Sequence, residues 1–389
     1  TRRLQEGIVV TGSSGPVSFG STLADITTIL NDNTPASLFT AMSFTGNSSN
    51  ITVQNTSIVN AFSAVTVPRG VAGINIVNNT GAVNFGPIDV ESFDGIGVFG
   101  LNNASIRIGN GVINTDNAAA VDIEESGIDI LLESVTSTNS PDYGIRLVET
   151  NKTGFRTFEV DPQLVNAVPG DGGQIINAKG DGLDNDDAAG VFLKNAGQVR
   201  LRAMQIEDNE FGIRIRNTET VAGLPDNIKQ TFTLVTSNII DNDIRGLDSQ
   251  NLMGLEIENS TFDNNGDDAA NGRQTILLDY TVRLDPDTIT RFAQAQDPFV
   301  VLIQDTDFIS NTNDVIDITQ TDPVAFGAAI QTDLYRNTFT VSDTSDPTTV
   351  DPLDARPTLD DAFVFDWNGP VRAHIDSNQF DMISAFQQQ

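Results

Sequence analysis

Cysteine is absent from this 389-residue chain, and histidine and basic residues are scarce. The chain has one His and 21 Lys and Arg against 53 Asp and Glu, a formal net charge of −32 at pH 7. Without Cys there is no disulfide framework, thiolate metal site or cysteine nucleophile, and one His argues against a Ser-His-Asp triad. Because phosphate backbones and anionic lipids are bound by clustered Lys and Arg, nucleic acids and membrane surfaces are disfavoured as partners.

Long apolar runs are also missing. The longest purely aliphatic or aromatic run, Phe299 to Ile303, is far shorter than the roughly 20 residues that a spanning helix needs, so we expect no membrane span. The chain begins at Thr1 without Met or a signal-like apolar segment, which indicates a processed product or a piece of a larger protein. For so acidic a chain, divalent cations such as Ca²⁺ are the favoured counter-ions.

A short pattern recurs along the chain: a small or polar residue, then two apolar residues that flank one usually polar residue. It occurs at 95–98, 120–123, 144–147, 190–193 and 212–215. The first apolar residues of successive copies are 25, 24, 46 and 22 positions apart. We interpret the spacing of 46 as two periods of 23, which indicates a repeat protein.

Two further markers share this period. A β-branched or aromatic residue is followed three positions later by Asn at Ile206, Ile239, Phe262 and Phe308, and the last two spacings are 23 and 46. A strand-like alternation recurs at 106–108, 128–130, 199–201 and 255–257. Each repeat thus holds about three short strands with one apolar face, which predicts an all-β parallel β-helix of about 22–25 residues per coil. Asn at the turns would adopt αL geometry and form side-chain ladders between coils.

We divide the chain into an N-terminal cap or linker region, 1–38, and a single β-helix domain, 39–389. Loop insertions are expected near 151–183, 218–230, 266–297 and 343–360, and such loops often form the binding face of a solenoid.

Two short helices are predicted. One is an N-terminal capping helix that Ser21 would begin and in which Leu23, Ile26, Ile29 and Leu30 have helical spacing. The other lies around Asp287–Gln294. At the C-terminal end no cap is evident, so the coil stack could continue on another segment or another copy.

Three segments carry a resemblance to a known group of proteins. The stretches GIRIRN, NSTFDNN and DTDFISNT at 212–217, 259–265 and 305–312 resemble the right-handed parallel β-helix repeats of the pectate-lyase-like superfamily. They look most like the repeats of large secreted bacterial surface and adhesin-type proteins. The resemblance covers about 40–385 and implies the fold, whereas the superfamily includes lyases, hydrolases, epimerases, phage tailspikes and non-catalytic adhesins.

The galacturonase motifs of this superfamily are matched only in part. Asn114-Thr115-Asp116, Asp186-Asp187 and Arg214-Ile215-Arg216 resemble three of the four elements. The Gly-His-Gly element is missing, and the lone His374 lies far downstream. Because the two acidic elements are about 70 residues apart, whereas the family has them on neighbouring coils, we favour no galacturonase site.

Pectate lyases resemble a Ca²⁺ site of several Asp residues with an Arg as base. No motif picks out one Arg here, and Arg146, Arg200 and Arg214 at outward strand positions are explained more simply as solvated partners of neighbouring carboxylates. A Ca²⁺-dependent lyase or epimerase acting on an acidic glycan, or a tailspike-like glycan-binding protein, stays as the alternative function.

Two Asp-rich turns are the densest groups of oxygen ligands. They lie at 181–187 and 263–268 and supply the calcium candidates Asp184, Asp186, Asp187, Asp263 and Asp267. Neither turn has the spacing of an EF-hand loop. The alternative is that both are ordinary Asx-rich turns that face water.

The sequence therefore favours a non-catalytic extracellular structural or adhesive β-helix protein at a cell surface or in a matrix. No catalytic and no cofactor-binding residue is assigned, and Ca²⁺ is the one candidate ion. The expected partners are further copies of the chain or neighbouring surface-protein segments, with polysaccharide as a further class. Clustered Asp and Arg in a cleft on one outward face would favour the enzyme, and flat Thr and Asn ladders would favour the scaffold.

Overall fold

The protein is all-β, and every strand pairing among its described residues is parallel. The computed structural model describes residues 6–20, 27–31, 40–61, 72–150, 157–180, 188–217, 230–266, 274–280, 299–310, 315–320, 330–342, 363–366 and 371–383. These residues form 34 strands and no helix. The strands stack in three ladders, which we name face A, face B and face C. Consecutive strands on the three faces together form one coil. The parallel β-helix predicted from the sequence is confirmed.

Face A is a sheet of twelve strands. They are β1 (Glu6–Thr11), β4 (Thr40–Thr45), β7 (Ala72–Val77), β9 (Ile96–Leu101), β11 (Val121–Glu124), β14 (Tyr143–Val148), β17 (Ala189–Lys194), β20 (Phe211–Arg216), β23 (Arg245–Gln250), β26 (Ile276–Asp279), β29 (Ile316–Thr319) and β32 (Phe363–Asp366).

Faces B and C form the second sheet and are joined by two long strands, β8 (Ala82–Phe93) and β10 (Ser105–Asp116), which run across both. Face B also has β2 (Val17–Phe19), β5 (Ile51–Val53), β12 (Ile128–Leu132), β15 (Thr157–Val160), β18 (Gln198–Arg202), β21 (Thr231–Val235), β24 (Gly254–Glu258), β27 (Phe299–Gln304), β30 (Ile330–Tyr335) and β33 (Val371–Asp376). Face C also has β3 (Thr27–Asn31), β6 (Thr56–Ala61), β13 (Ser134–Thr138), β16 (Gln174–Ile176), β19 (Gln205–Glu207), β22 (Asn238–Ile240), β25 (Thr261–Asp263), β28 (Asp307–Ser310), β31 (Thr338–Ser342) and β34 (Gln379–Ile383).

The core is made of apolar columns that run along the helix axis. On face A, Ile145, Val191, Ile213 and Leu247 are partners in successive strands, and all four are fully buried. On face C a column of stacked phenylalanine rings ends at Phe380, with centroids of neighbouring rings 5.0–5.4 Å apart. Because no single strand buries enough apolar surface to be stable alone, the stack of coils supplies the apolar burial that stabilises the fold.

Asn ladders line the corners, as the sequence predicts. At the corner between faces C and A, the Nδ2 of Asn209 donates to Asn242 Oδ1 at 3.0 Å, and the Nδ2 of Asn242 donates to Asn265 Oδ1 at 2.7 Å. All three side chains are buried. The αL geometry that we expected of these residues belongs instead to the residue before each of them, such as Asp241 with a φ of 52°.

The register differs from the sequence interpretation in three places. The partner of Val121 is Val98 and not Ile96, so this coil has 23 residues and not 25. Ile145 pairs directly with Val191, and Phe262 pairs directly with Phe308. Each spacing of 46 is therefore one coil enlarged by insertions, and the interpretation as two periods of 23 is wrong.

The predicted N-terminal helix is wrong where it can be tested. Ile29 and Leu30 lie in β3, which pairs in parallel with β6, because pairing with the next coil satisfies backbone groups that an isolated short helix would leave open. Strands β1 and β2 likewise pair with β4 and β5. Ser21, Leu23 and Ile26, and the second predicted helix at 287–294, lie outside the described residues.

Candidate functional site

In the chain, the longest insertions come directly before or after strands of face A. The three longest connections between strands are 343–362, which leads from face C into face A, and 280–298 and 217–230, which leave face A towards face B. The outward side chains of face A therefore lie between the places where the chain departs from the regular coil. This is the surface on which the sequence criterion of clustered Asp and Arg can be tested.

A first group of charges lies on β11 and β14. Arg146 Nη1 donates to Asp122 Oδ1 at 2.9 Å and to Glu124 Oε2 at 3.0 Å, so one guanidinium joins two carboxylates of the neighbouring coil. Asp122 is buried and the other two side chains are partly buried. Charge-assisted hydrogen bonds in such a setting are stronger than those between exposed side chains, and here they tie two coils together.

A second group centres on Asp248 of β23. Three guanidinium groups surround its carboxylate: those of Arg214 and Arg216 on β20, at 4.0 Å and 2.5 Å, and that of Arg245 on its own strand, at 3.5 Å. Arg245 also donates to the side chain of Gln274 at 3.2 Å. Arg214 and Asp248 are buried. The group is thus an arginine-rich cluster within an acidic protein, and it again spans neighbouring coils.

Aromatic side chains separate the two groups. The rings of Tyr143 and Phe192 are 5.0 Å apart, and the guanidinium carbon of Arg214 lies 4.5 Å from the centroid of the Phe211 ring, a distance typical of a cation–π contact. Phe192 and Phe211 are buried in a small apolar cluster on the outer side of face A, together with Val148. Guanidinium groups bind carboxylates through paired hydrogen bonds, and aromatic rings supply apolar contact area.

Sequence reasoning found only part of this surface. It singled out Arg146, Arg200 and Arg214 as solvated partners of neighbouring carboxylates. The ion pairs confirm the carboxylate partners, whereas Arg214 is buried and not solvated. Sequence reasoning missed Asp122, Asp248 and the cluster around Phe211. Asp122 lies one regular coil from Arg146, so this pair could have been read from the repeat. Asp248 could not, because an insertion separates it from Arg214 and Arg216.

The galacturonase-like elements do not come together. Asn114, Thr115 and Asp116 lie in the part of β10 that belongs to face C, whereas Arg214 lies on face A. The single histidine, His374, is exposed on β33 in the last described coil. The Asp186-Asp187 element lies outside the described residues.

Of the five calcium candidates only Asp263 is described. It ends β25, where burial and the carboxylate of Asp241 on the neighbouring coil raise its pKa. In the described part of the chain no group of three or more acidic or histidine side chains is arranged to hold a metal ion. The other four candidates, Asp184, Asp186, Asp187 and Asp267, lie outside the described residues, so calcium binding stays a prediction.

One described loop, 161–173 between faces B and C, presents apolar side chains to solvent. Asp161 Oδ1 accepts hydrogen bonds from Gln163 N at 2.9 Å and from Arg202 Nη1 at 2.8 Å. Although burial opposes ionisation, these bonds hold the pKa of Asp161 below its usual value. The loop is thus anchored to face B while Leu164 and Val165 are exposed.

Comparison with protein-family models, with curated proteins and with solved structures gave no match. The class of the protein therefore follows from its own architecture, which is that of a parallel β-solenoid. In the described residues no helix is long and apolar enough to span a membrane.

Proposed function

We propose that this chain is a non-catalytic structural or adhesive β-helix that acts outside the cell, at a cell surface or in a matrix. The observation that supports the proposal most is that buried polar side chains form hydrogen bonds and ion pairs between neighbouring coils. The Asn209–Asn242–Asn265 ladder bonds each Asn to its equivalent one coil away. Arg146 and Arg216 of face A also bond to carboxylates of the neighbouring coil.

The physical consequence of these bonds is a rigid rod. A stack of coils joined by backbone ladders, apolar columns and buried side-chain ladders holds its two ends at a fixed separation. A spacer, fibre component or adhesin needs this property. The acidic surface keeps such a rod soluble, and our proposal includes membership of the pectate-lyase-like superfamily, close to the repeats of large secreted bacterial surface proteins.

The outer side of face A favours one second candidate. A Ca²⁺-dependent lyase or epimerase, or a tailspike-like protein, would bind an acidic glycan through arginines such as Arg146 and Arg216. Both lie on the face that the longest insertions flank. In the structure each of these arginines is bonded to a carboxylate of a neighbouring strand, so glycan binding would have to compete with these ion pairs.

Turnover and binding assays on the full chain separate the two candidates. The chain is incubated with polygalacturonate, alginate and other acidic polysaccharides in millimolar Ca²⁺ or EDTA, while absorbance near 235 nm and the proton NMR of the sugars are followed. We expect no unsaturated product and no epimerised sugar. Turnover that is lost in Arg216→Gln but kept in a control variant on face B, Arg107→Gln, would overturn the proposal in favour of the glycan-active candidate.

A further inference from the structure

The last described coil presents the cross-section of the core to solvent. In β30, buried residues alternate with partly buried ones, whereas all six residues of the next strand on face B, β33, are exposed. Val371 is 42% exposed, Ile375 51% and Phe380 55%. No described element of the chain covers this end.

These exposed residues are core residues by their register. Val371 and Ile375 pair with the buried Ile330 and Leu334, and the Phe380 ring stacks on Phe339 with centroids 5.0 Å apart and ring planes 10° apart. The exposed surface is therefore a continuation of the interface that every coil makes with the next one. It also carries the edges of three parallel strands, which are templates for further pairing.

The first described coil carries the reciprocal surface. Among the described residues, β1 and β2 pair on one side only, with β4 and β5, and the inward residues Ile8, Val10, Val17 and Phe19 are only partly buried. The open edge of β2 is the one that faces away from β5, and the open edge of β33 is the one that faces away from β30. When a second copy is moved along the helix axis, these two edges can pair as neighbouring strands of face B do. The chain thus contains both halves of one coil-to-coil interface.

The side chains at the two ends differ in size in a way that suits stacking. On face B, the inward column that starts at Phe19 holds large apolar residues through most of the stack. It ends at Thr332 and Ala373, the partners in the last two coils. Because Thr332 and Ala373 are small, they leave space at this end of the column. Phe19 of a second copy, placed next to Ala373, would fill that space, as close packing requires.

We propose that the C-terminal coil stacks head to tail on the N-terminal coil of a second copy of this chain, with β32 beside β1 and β33 beside β2. In this register Val17 meets Val371 and Phe19 meets Ala373. The inference rests on the proposed structural role, for which it supplies the contact, and such a heterologous contact extends into a filament because it does not close. The association assay and the turnover assay are independent, so either proposal can fail alone.

Net charge gives the association a distinctive salt dependence. Each copy carries a formal charge of −32, and repulsion between copies is screened over about 8 Å at physiological ionic strength. On face B, the outward neighbours across the contact would be Ser18 and Arg372, which do not repel each other. Since the contact is apolar and the charges elsewhere repel, association strengthens as salt is added.

Blocking each end separately tests the proposal. Sedimentation velocity and negative-stain electron microscopy of the full chain in low and high NaCl should show strings of coaxial rods that lengthen with salt. Val17→Lys blocks the N-terminal end and Ile375→Lys the C-terminal end, so each variant alone should be monomeric and their mixture should form 1:1 dimers only. Val165→Lys, at an exposed apolar site away from both ends, should associate like the parent.

A crosslink gives an independent readout that does not depend on how well the blocked coils fold. Because the chain has no Cys, the pair Ser18→Cys and Arg372→Cys can form a disulfide only between copies in the proposed register, where neighbouring Cα atoms lie within the 4.4–6.8 Å that a disulfide spans. Oxidation should give a ladder of covalent multimers, and the control pair Ser18→Cys and Val165→Cys should not. A parent that stays monomeric in both salts, blocked variants that associate like the parent, or equal crosslinking of the two pairs would each overturn the proposal.

Discussion

Replacing Asn242 by Ala should destabilise the coil stack more than any surface substitution. Asn242 Nδ2 donates to Asn265 Oδ1 at 2.7 Å and to the carbonyl of Ile240 at 3.0 Å. Its Oδ1 accepts from the backbone N of Asn209 at 3.1 Å and from the Nδ2 of Asn209 at 3.0 Å. An alanine would leave both donors on Asn209 without this acceptor inside a buried corner.

The magnitude follows from the number of groups affected. A buried donor or acceptor that loses its partner costs about 1–3 kcal/mol, and a packing defect at a site with no solvent exposure adds to this cost. Two donors on Asn209 and one acceptor on Asn265 each lose a partner. The Nδ2 of Asn209 keeps its bond to the carbonyl of Ile175, and the Oδ1 of Asn265 keeps its bond from the backbone N of residue 242. We therefore expect the free energy of unfolding to fall by about 3–5 kcal/mol.

Urea unfolding followed by far-UV circular dichroism measures this change, with Asn166→Ala, an exposed Asn in the loop 161–173, as the matched control. Hydrogen exchange adds a local readout, because the backbone amide of Asn209 should exchange faster in Asn242→Ala and not in the control. A loss of no more than about 0.5 kcal/mol, the usual range for a surface change, with unchanged exchange at Asn209, would refute the idea that the ladder holds the coils together.

Three further predictions concern single side chains. Burial and Asp241 raise the pKa of Asp263, so ionisation of Asp263 destabilises the fold above that pKa. This penalty disappears as pH falls through the pKa. Asp263→Asn should therefore raise the melting temperature at pH 7 but not at pH 3. Because bonds from Arg202 and the backbone lower the pKa of Asp161, its stabilising effect is present above the usual pKa of about 4 and lost as pH falls below it. Arg202→Gln should accordingly speed hydrogen exchange in the loop 161–173 at pH 7, and acid should reduce the difference. A Cβ at Gly212 would lie 2.6 Å from a backbone oxygen of the next coil, so Gly212→Ala should lower the free energy of unfolding by about 1–3 kcal/mol in urea.

The fold could be predicted because its determinants are local and repeated. Apolar residues at alternate positions define each strand, and the Asn that follows Ile206, Ile239 and Phe262 marks the same corner in successive coils. The corner residues form the expected ladder, and the aromatic members of the series stack. Because three independent markers show the same period, an error in one of them does not change the predicted fold.

Register was less predictable because the sequence offers two similar alignments. Gly95-Ile96 and Gly97-Val98 both fit the pattern of a small residue before an apolar one. What selects the second is space: a Cβ at Gly97 would lie 2.5 Å from a side-chain carbon of Ile113, so only glycine fits at this position of β9. This information depends on the neighbouring face and cannot be obtained from the strand itself.

The length of a coil was also ambiguous. Forty-six residues between Ile145 and Val191 equal two periods of 23, yet the two residues are direct partners. A spacing cannot distinguish a second coil from an insertion, since only the presence of three apolar strands makes a coil. The same ambiguity hid the cluster around Asp248, whose partners Arg214 and Arg216 lie on the other side of an insertion.

The direction of the ladders has a mechanical consequence. All inter-coil hydrogen bonds run along the helix axis, so a force that pulls the two ends apart loads the bonds of one end coil at a time, as in peeling. A coil of 23 residues, such as that between Val98 and Val121, would release roughly 75 Å of extended chain at about 3.3 Å per residue. The rod would therefore yield in steps and lengthen many times over before its covalent backbone was under tension, which makes it an extensible tether as well as a stiff one.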